Sequence, residues 1–268
     1  RQEQNRTRFC KMMRILARRL STRYPAAVVT SARGPEVVHT PTMNRGMAHD
    51  YVERDRLGLR GLLPPRVKTL EEQVERVLRR LRLPDESDVE KNLFLQDLHD
   101  RNETLYHKVV LDYVDEVAPL IYTPTVGTAC ERFGYDFRRP RGLFFAERDR
   151  GHFSSICYNW PQDDVKVIVV TDGSRILGLG DLGVHGLPIS IGKLALYVAA
   201  GGIAPEKVLP VVLDVGTDNE TLRQDTDYVG TPTPRLQGDA YYDFVDEFMQ
   251  AAVQRWPGVV IQFEDFET

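Results

Sequence analysis

The feature that most constrains this chain is the rhythm of its second half. Three short runs rich in valine and isoleucine, residues 165–171 (VKVIVVT), 211–215 (VVLDV) and 259–263 (VVIQF), each have the length of a strand. Residues 189–200 and 241–254, lying between them, read as helices. Runs of this kind mark buried strands, and strands that alternate with helices assemble into a parallel sheet. The expected fold is α/β: a helical N-terminal region, then a parallel sheet covered by helices in three layers. In such sheets ligands sit beyond the carboxyl ends of the strands. The polar residues fall there. Asp172, Gly173, Ser174 and Arg175 follow the first run, Asp214, Asp218 and Asn219 lie in or after the second, and Glu264 and Asp265 follow the third. This placement predicts a single converging site.

The first half has a helical period. Residues 50–57 predict a short helix, followed by a loop at Leu62, Leu63, Pro64 and Pro65. Over residues 69–81, Leu70, Val74, Val77, Leu78 and Leu81 share one helical face. Thr69, with Glu72 three residues later, has the pattern of a capping box. Residues 89–117 read as one longer helical segment ending near Pro119, with Leu93, Leu98, Leu105, Val109 and Val110 on its apolar side.

Charge sets the N-terminus apart. The net charge is −4, yet residues 1–50 hold ten basic and three acidic side chains, which leaves −11 for the other 218 residues. An arginine-rich, acid-poor leader is the composition of a mitochondrial transit peptide. The expected location is therefore mitochondrial, with the cytoplasm as alternative. The expected organisation is a basic leader-like extension over 1–40, a mainly helical region over 41–136 and an α/β region over 137–268. A net negative chain is not built for nucleic acid or an anionic membrane. Cys10, Cys130 and Cys157 are odd in number and widely spaced, which argues for a reducing compartment rather than a disulfide scaffold. The most apolar stretch, near residues 194–204, reads as shorter than the roughly 18 residues a bilayer span needs.

Gly178, Gly180 and Gly183 spell GxGxxG. In a dinucleotide fingerprint the first glycine directly follows a strand and the third opens a helix. Here Gly178 stands six positions after Asp172, and Val184 to Pro188 intervene before a helix can begin. The motif reads as a tight loop permitting close backbone approach.

Three longer stretches carry a family resemblance. They are Ile121-Tyr122-Thr123-Pro124-Thr125-Val126-Gly127, then Val170-Thr171-Asp172-Gly173-Ser174-Arg175 running on through the glycine loop to Lys193 and Tyr197, and Ile261-Gln262-Phe263-Glu264-Asp265-Phe266. In order and spacing, from about residue 41 to 268, they resemble the longer, eukaryotic-type malic enzymes. The resemblance implies oxidative decarboxylation of L-malate to pyruvate and carbon dioxide, with NAD or NADP and with Mn²⁺ or Mg²⁺. It assigns Lys193 as the base that takes the C2 hydroxyl proton and Tyr122 as the acid that protonates C3 of the enol. It assigns Arg175 to a malate carboxylate, which a guanidinium binds bidentately. Glu264 and Asp265 resemble two of three metal ligands, as hard cations prefer carboxylate oxygens. Adjacent strand residues point to opposite faces, so both reach one ion only if the strand ends there. Arg101 resembles a residue that binds an activating dicarboxylate in some relatives.

The resemblance places the third metal ligand and the dinucleotide-binding Rossmann domain beyond Thr268. The 268 residues alone are therefore expected neither to turn over malate nor to bind the nicotinamide cofactor tightly. It also implies a homo-oligomer, dimer or tetramer. Two other readings stand beside it: a malolactic enzyme, which shares these motifs and releases lactate, and a non-catalytic module that holds a nucleotide on the glycine loop.

Overall fold

A computed structural model describes residues 30–267. The leader-like segment lies mostly outside the described residues. The chain divides into two compact units, one of Arg1–Val117 with Tyr197–Gly202 and one of Ala118–Leu196 with Ile203–Thr268.

The first unit is helical. Its first elements are α1 (Pro35–His39), α2 (Tyr51–Arg56) and α3 (Leu70–Leu81). Asp50 caps α2 and Thr69 caps α3, each through a complete capping box, with Glu53 and Glu72 reaching back to the cap N–H groups. The α3 face expected from the period is buried at Val74, Val77, Leu78 and Leu81. On α2 the buried Arg54 donates to the carbonyls of His49 and Pro64, at 2.8 and 2.7 Å, and so pins the diproline loop.

The expected long helix over 89–117 is instead broken into α4 (Asp88–Arg101), α5 (Glu103–Asp112) and α6 (Val114–Ile121). The first break is local chemistry. Asn102 leaves helical dihedrals, and its side chain accepts from the Leu105 N–H at 2.9 Å, starting a new helix. The second falls at Tyr113. Pro119 lies inside α6 rather than ending it.

The second unit continues with α7 (Thr125–Glu131), α8 (Phe133–Asp136) and a four-stranded sheet. Its strands are β1 (Leu143–Ala146), β2 (Val167–Thr171), β3 (Val208–Asp214) and β4 (Val260–Phe263), all parallel, in the order β1-β3-β2-β4. The remaining helices are α9 (Phe153–Asn159), α10 (Leu187–Gly201), α11 (Glu220–Gln224) and α12 (Asp239–Arg255). Alternation assigns the two faces. Ile168, Val170, Leu209, Val211, Leu213 and Phe145 meet α9 and α12 through Phe153, Phe244, Phe248 and Trp256. On the opposite face Val212 meets Val184 and Leu187 at the start of α10. This is the expected parallel sheet between helical layers.

β1 was not foreseen. It has four residues and gains its partners only by pairing Leu143 with Val211 across the chain. β3 also begins three residues earlier than the sequence reading, at Val208, with Pro210 inside it. The Pro210 carbonyl faces Gly142, just before the β1 ladder begins, so its missing N–H falls where no ladder bond is required.

The stretch Gly183–Gly201 is, by length and composition, long and apolar enough to cross a membrane. That differs from the sequence reading, because a 3₁₀ turn over Gly183–Gly186 runs directly into α10 and lengthens the helical stretch. It is 67% buried inside the protein, as expected of a helix behind a sheet.

Candidate active site at the carboxyl end of the sheet

β4 ends at Phe263, and the Glu264 N–H still bonds the Val170 carbonyl of β2 at 2.9 Å. Glu264 is thus held at the carboxyl end of the sheet. Its Oε1 accepts two hydrogen bonds, from the Tyr122 hydroxyl at 2.8 Å and from Lys193 Nζ at 2.7 Å. Its Oε2 accepts from Gln262 Nε2 at 2.6 Å. The Lys193 ammonium also lies 5.5 Å from the centre of the Tyr122 ring. The Lys193 and Glu264 side chains are only 25% and 12% exposed, so solvent screens the pair weakly. Burial alone would raise the Glu264 carboxyl. The hydrogen bonds from Lys193 and Tyr122, together with the lysine charge, outweigh it and hold the carboxyl below its ordinary range.

Three elements bring this triad together. Tyr122 follows α6, Lys193 lies on α10 and Glu264 follows β4. The approach of the first two depends on Gly192. A Cβ there would stand 2.5 Å from the Ile121 carbonyl oxygen and 2.9 Å from Tyr122 Cδ2. A bare helix position next to Lys193 is therefore what allows Tyr122 to dock.

Asp265 leaves strand geometry altogether, with φ 53°. The sequence condition for Glu264 and Asp265 to serve one ion, that the strand end before them, is met. Asp265 Oδ2 accepts from the Leu177 N–H at 2.8 Å. Arg175, two residues before Leu177, is exposed and makes no ion pair among the described residues. Arg101 lies in the first unit, at the end of α4. Burial and the nearby Arg76 charge lower its guanidinium from the usual value, against a smaller opposing effect of Asp97.

The other acidic residues singled out in the sequence are engaged within the fold. Most of their oxygens are taken by groups within the fold, chiefly by Arg235, which sequence reasoning missed, while the buried Asp214 Oδ1 has no hydrogen-bond partner among the described residues. This side chain, 10% exposed, pairs with Asp172 at 2.8 Å and with Asp181 at 3.1 Å. Asp172 also accepts from Tyr241 at 2.9 Å and from the Ser174 hydroxyl at 2.7 Å. Asp181 accepts from the N–H groups of Gly183 and Asp218, and the Asp218 carboxylate accepts from the Arg235 N–H. Asn219 donates to the Asp181 carbonyl and caps α11. Asp214 accepts twice from Thr231, at 2.8 and 2.7 Å. A lone arginine in a proline-rich loop gives no periodic signal, so only the folded chain identifies it. Of the three motif glycines only Gly183 is closely approached, while Gly178 and Gly180 have open space where a Cβ would stand. Gly173, at φ 68°, lies so close to Gly183 that a Cβ would meet its carbonyl oxygen at 1.8 Å. The glycines fold the loop back on itself, and the Ser174 hydroxyl then accepts from the Glu267 N–H at 2.8 Å, linking this network to the segment after Asp265.

A cavity of about 460 Å³ lies beyond β1 and β3, lined by Glu147, Arg148, Asp214 and Thr231 among others, and shares no lining residue with the triad.

Fold and site together define a class: an α/β protein with a lysine, a tyrosine and a carboxylate pair gathered at the carboxyl edge of a parallel sheet. Comparison with known proteins narrows it. Residues 99–268 match the family description "Malic enzyme, N-terminal domain", and the chain belongs to the malic enzyme family. It is 48% identical to the mitochondrial NAD-dependent malic enzyme of Solanum tuberosum, over 97% of this chain and 46% of that protein. It is 51% identical to the mitochondrial NAD-dependent malic enzyme 1 of Arabidopsis thaliana, over 90% and 40%. To the hydrogenosomal malic enzyme of Neocallimastix frontalis it is 52% identical, over 89% and 40%. The chain thus spans less than half the length of these relatives.

Proposed function

We propose that the gene product carrying this chain oxidatively decarboxylates L-malate to pyruvate and carbon dioxide with a nicotinamide cofactor. The observation that carries the reading is the shared Glu264 oxygen, which holds the Tyr122 hydroxyl and the Lys193 ammonium within hydrogen-bond reach of one atom. Oxidation at C2 needs a group that takes the hydroxyl proton, and enol protonation at C3 needs one that returns a proton. Lys193 and Tyr122 are chemically suited to these roles. An ammonium has no lone pair, so Lys193 acts as a base only after it gives up a proton, for which the Glu264 carboxylate at 2.7 Å is a placed acceptor. Arg175, exposed and without an ion pair among the described residues, is available to hold a substrate carboxylate.

Glu264 and Asp265 suit a hard divalent cation. Glu264 favours the anion, and both residues stand where the strand has ended. Mn²⁺ or Mg²⁺ held there would polarise the C2 oxygen. NAD is the proposed cofactor, because the potato and Arabidopsis relatives are named NAD-dependent. Their names also include mitochondrial, which agrees with the basic composition of residues 1–40 and supports a mitochondrial location.

Arg101 is proposed as an anion-binding position, since a dicarboxylate would relieve its repulsion with Arg76. Activation by such an acid that survives in Arg101→Ala would remove this assignment.

The test is to mix the gene product with L-malate and Mn²⁺, follow reduced nicotinamide with NAD and with NADP, and assay pyruvate and lactate. Reduced cofactor with pyruvate supports the proposal. Lactate without net reduction moves the assignment to malolactic chemistry. Neither product from folded, metal-loaded protein refutes both.

A further inference from the structure

We propose that His99, Glu103 and His107 in the first unit form a binding site for a zinc-type transition metal ion. Glu103 and His107 stand four residues apart on α5 and so share one face. His99 lies in the last turn of α4, on the other side of the break at Asn102. One donor atom from each residue lies within 4.8 Å of the others, and His107 Nε2 is 3.8 Å from Glu103 Oε1. In a tetrahedral shell with bonds near 2.0–2.1 Å, donors stand about 3.4 Å apart. Closing that difference falls mainly to rotation of the Glu103 side chain, which belongs to no ring cluster.

A second, independent observation points to a ligand. His107 is 8% exposed, and neither of its ring nitrogens has a hydrogen-bond partner. A buried polar group without a partner is unfavourable and calls for an explanation; an imidazole nitrogen that donates its lone pair to a metal supplies one. The rings are also held in place. His99 stacks on Tyr106 with centroids 4.1 Å apart, and His107 meets both rings edge-on at 5.1 and 5.0 Å. His99 and Glu103 are only half-buried, which leaves an open side for entry and for a water as fourth ligand.

The donor set selects the ion. Two imidazoles and a carboxylate suit Zn²⁺, and by the same order Co²⁺, Ni²⁺ or Cu²⁺, rather than Mg²⁺. Glu264 and Asp265 offer oxygen alone. The two sites therefore prefer different ions. A metal bridging α4 and α5 also pins the bend at Asn102.

The experiment is a titration of chelator-stripped protein with Zn²⁺ in excess Mg²⁺, on the unaltered chain and on His99→Gln and His107→Phe. X-ray absorption at the zinc edge on the unaltered protein accompanies it. One equivalent of zinc is expected, with two imidazole scatterers. Outer partners of metal ligands are worth 10–100-fold in affinity, so losing either ligand should weaken binding by at least about a hundredfold. His107→Phe keeps a ring in the aromatic cluster, and His99→Gln alters a half-buried position. No zinc bound to the unaltered chain, a zinc shell without imidazole, or unchanged affinity in both variants would overturn the proposal.

Discussion

The backbone N–H of Leu177 donates to Oδ2 of Asp265 at 2.8 Å, and both residues stand in the left-handed region, at φ 49° and 53°. Residues other than glycine avoid that region at a cost of roughly 1–2 kcal/mol each. The bond ties the tip of the glycine loop to the end of β4, and so helps fix the position of the Glu264–Asp265 pair. Asp265→Asn tolerates the same dihedrals and retains an acceptor. It should leave stability within about 0.5 kcal/mol while weakening Mn²⁺ binding. Asp265→Ala loses the acceptor and should also cost about 1–2 kcal/mol. Urea unfolding and manganese titration check both, and equal stability of the two variants would contradict the account.

The shared Glu264 oxygen makes Lys193 and Tyr122 separable. Lys193→Met should reduce malate oxidation by roughly a hundredfold to ten-thousandfold, the range for a lost acid or base. Tyr122→Phe should reduce pyruvate formation while leaving malate affinity close to normal, because only the hydroxyl is removed. Steady-state assays of the gene product with circular dichroism as control decide this. Near-normal turnover in either folded variant would reassign its role.

Arg235 neutralises the buried carboxylate of Asp172 and the partly buried one of Asp181. Arg235→Met would leave both charges without it and should cost roughly 3–5 kcal/mol. Arg235→Lys should recover only part, since an ammonium cannot span both partners as the planar fork does. Chemical denaturation of the three proteins gives the order, and a fully stable Arg235→Met would show the network to be dispensable.

His185 is 2% exposed, and burial lowers its pKa from 6.5 to about 4, with Asp225 opposing weakly. The unfolded chain therefore binds this proton more readily than the folded one. Stability from the neutral ring is complete above pH 6.5 and is lost as pH falls toward 4, by about 3 kcal/mol in all. His185→Phe, which removes no hydrogen bond, should unfold with a shallower loss between neutral pH and pH 5. Parallel slopes for the two proteins would exclude His185 as the titrating group.

The sequence alone was enough for the elements whose signals are local. The α3 face follows from Val74, Val77, Leu78 and Leu81 at helical spacing, and its start from Thr69 and Glu72. The parallel sheet follows from three buried runs with helices between them, and Tyr122, Lys193 and Glu264 are marked by the motifs around them. Tertiary structure decided the rest, because those features depend on partners far along the chain. β1 is a strand only because Leu143 pairs with Val211. Only the fold shows that Arg235 pairs with Asp172 and Asp181 and that Thr231 bonds Asp214. Tyr122 meets Glu264 across 142 residues, and no periodicity reports a hydrogen bond over that separation.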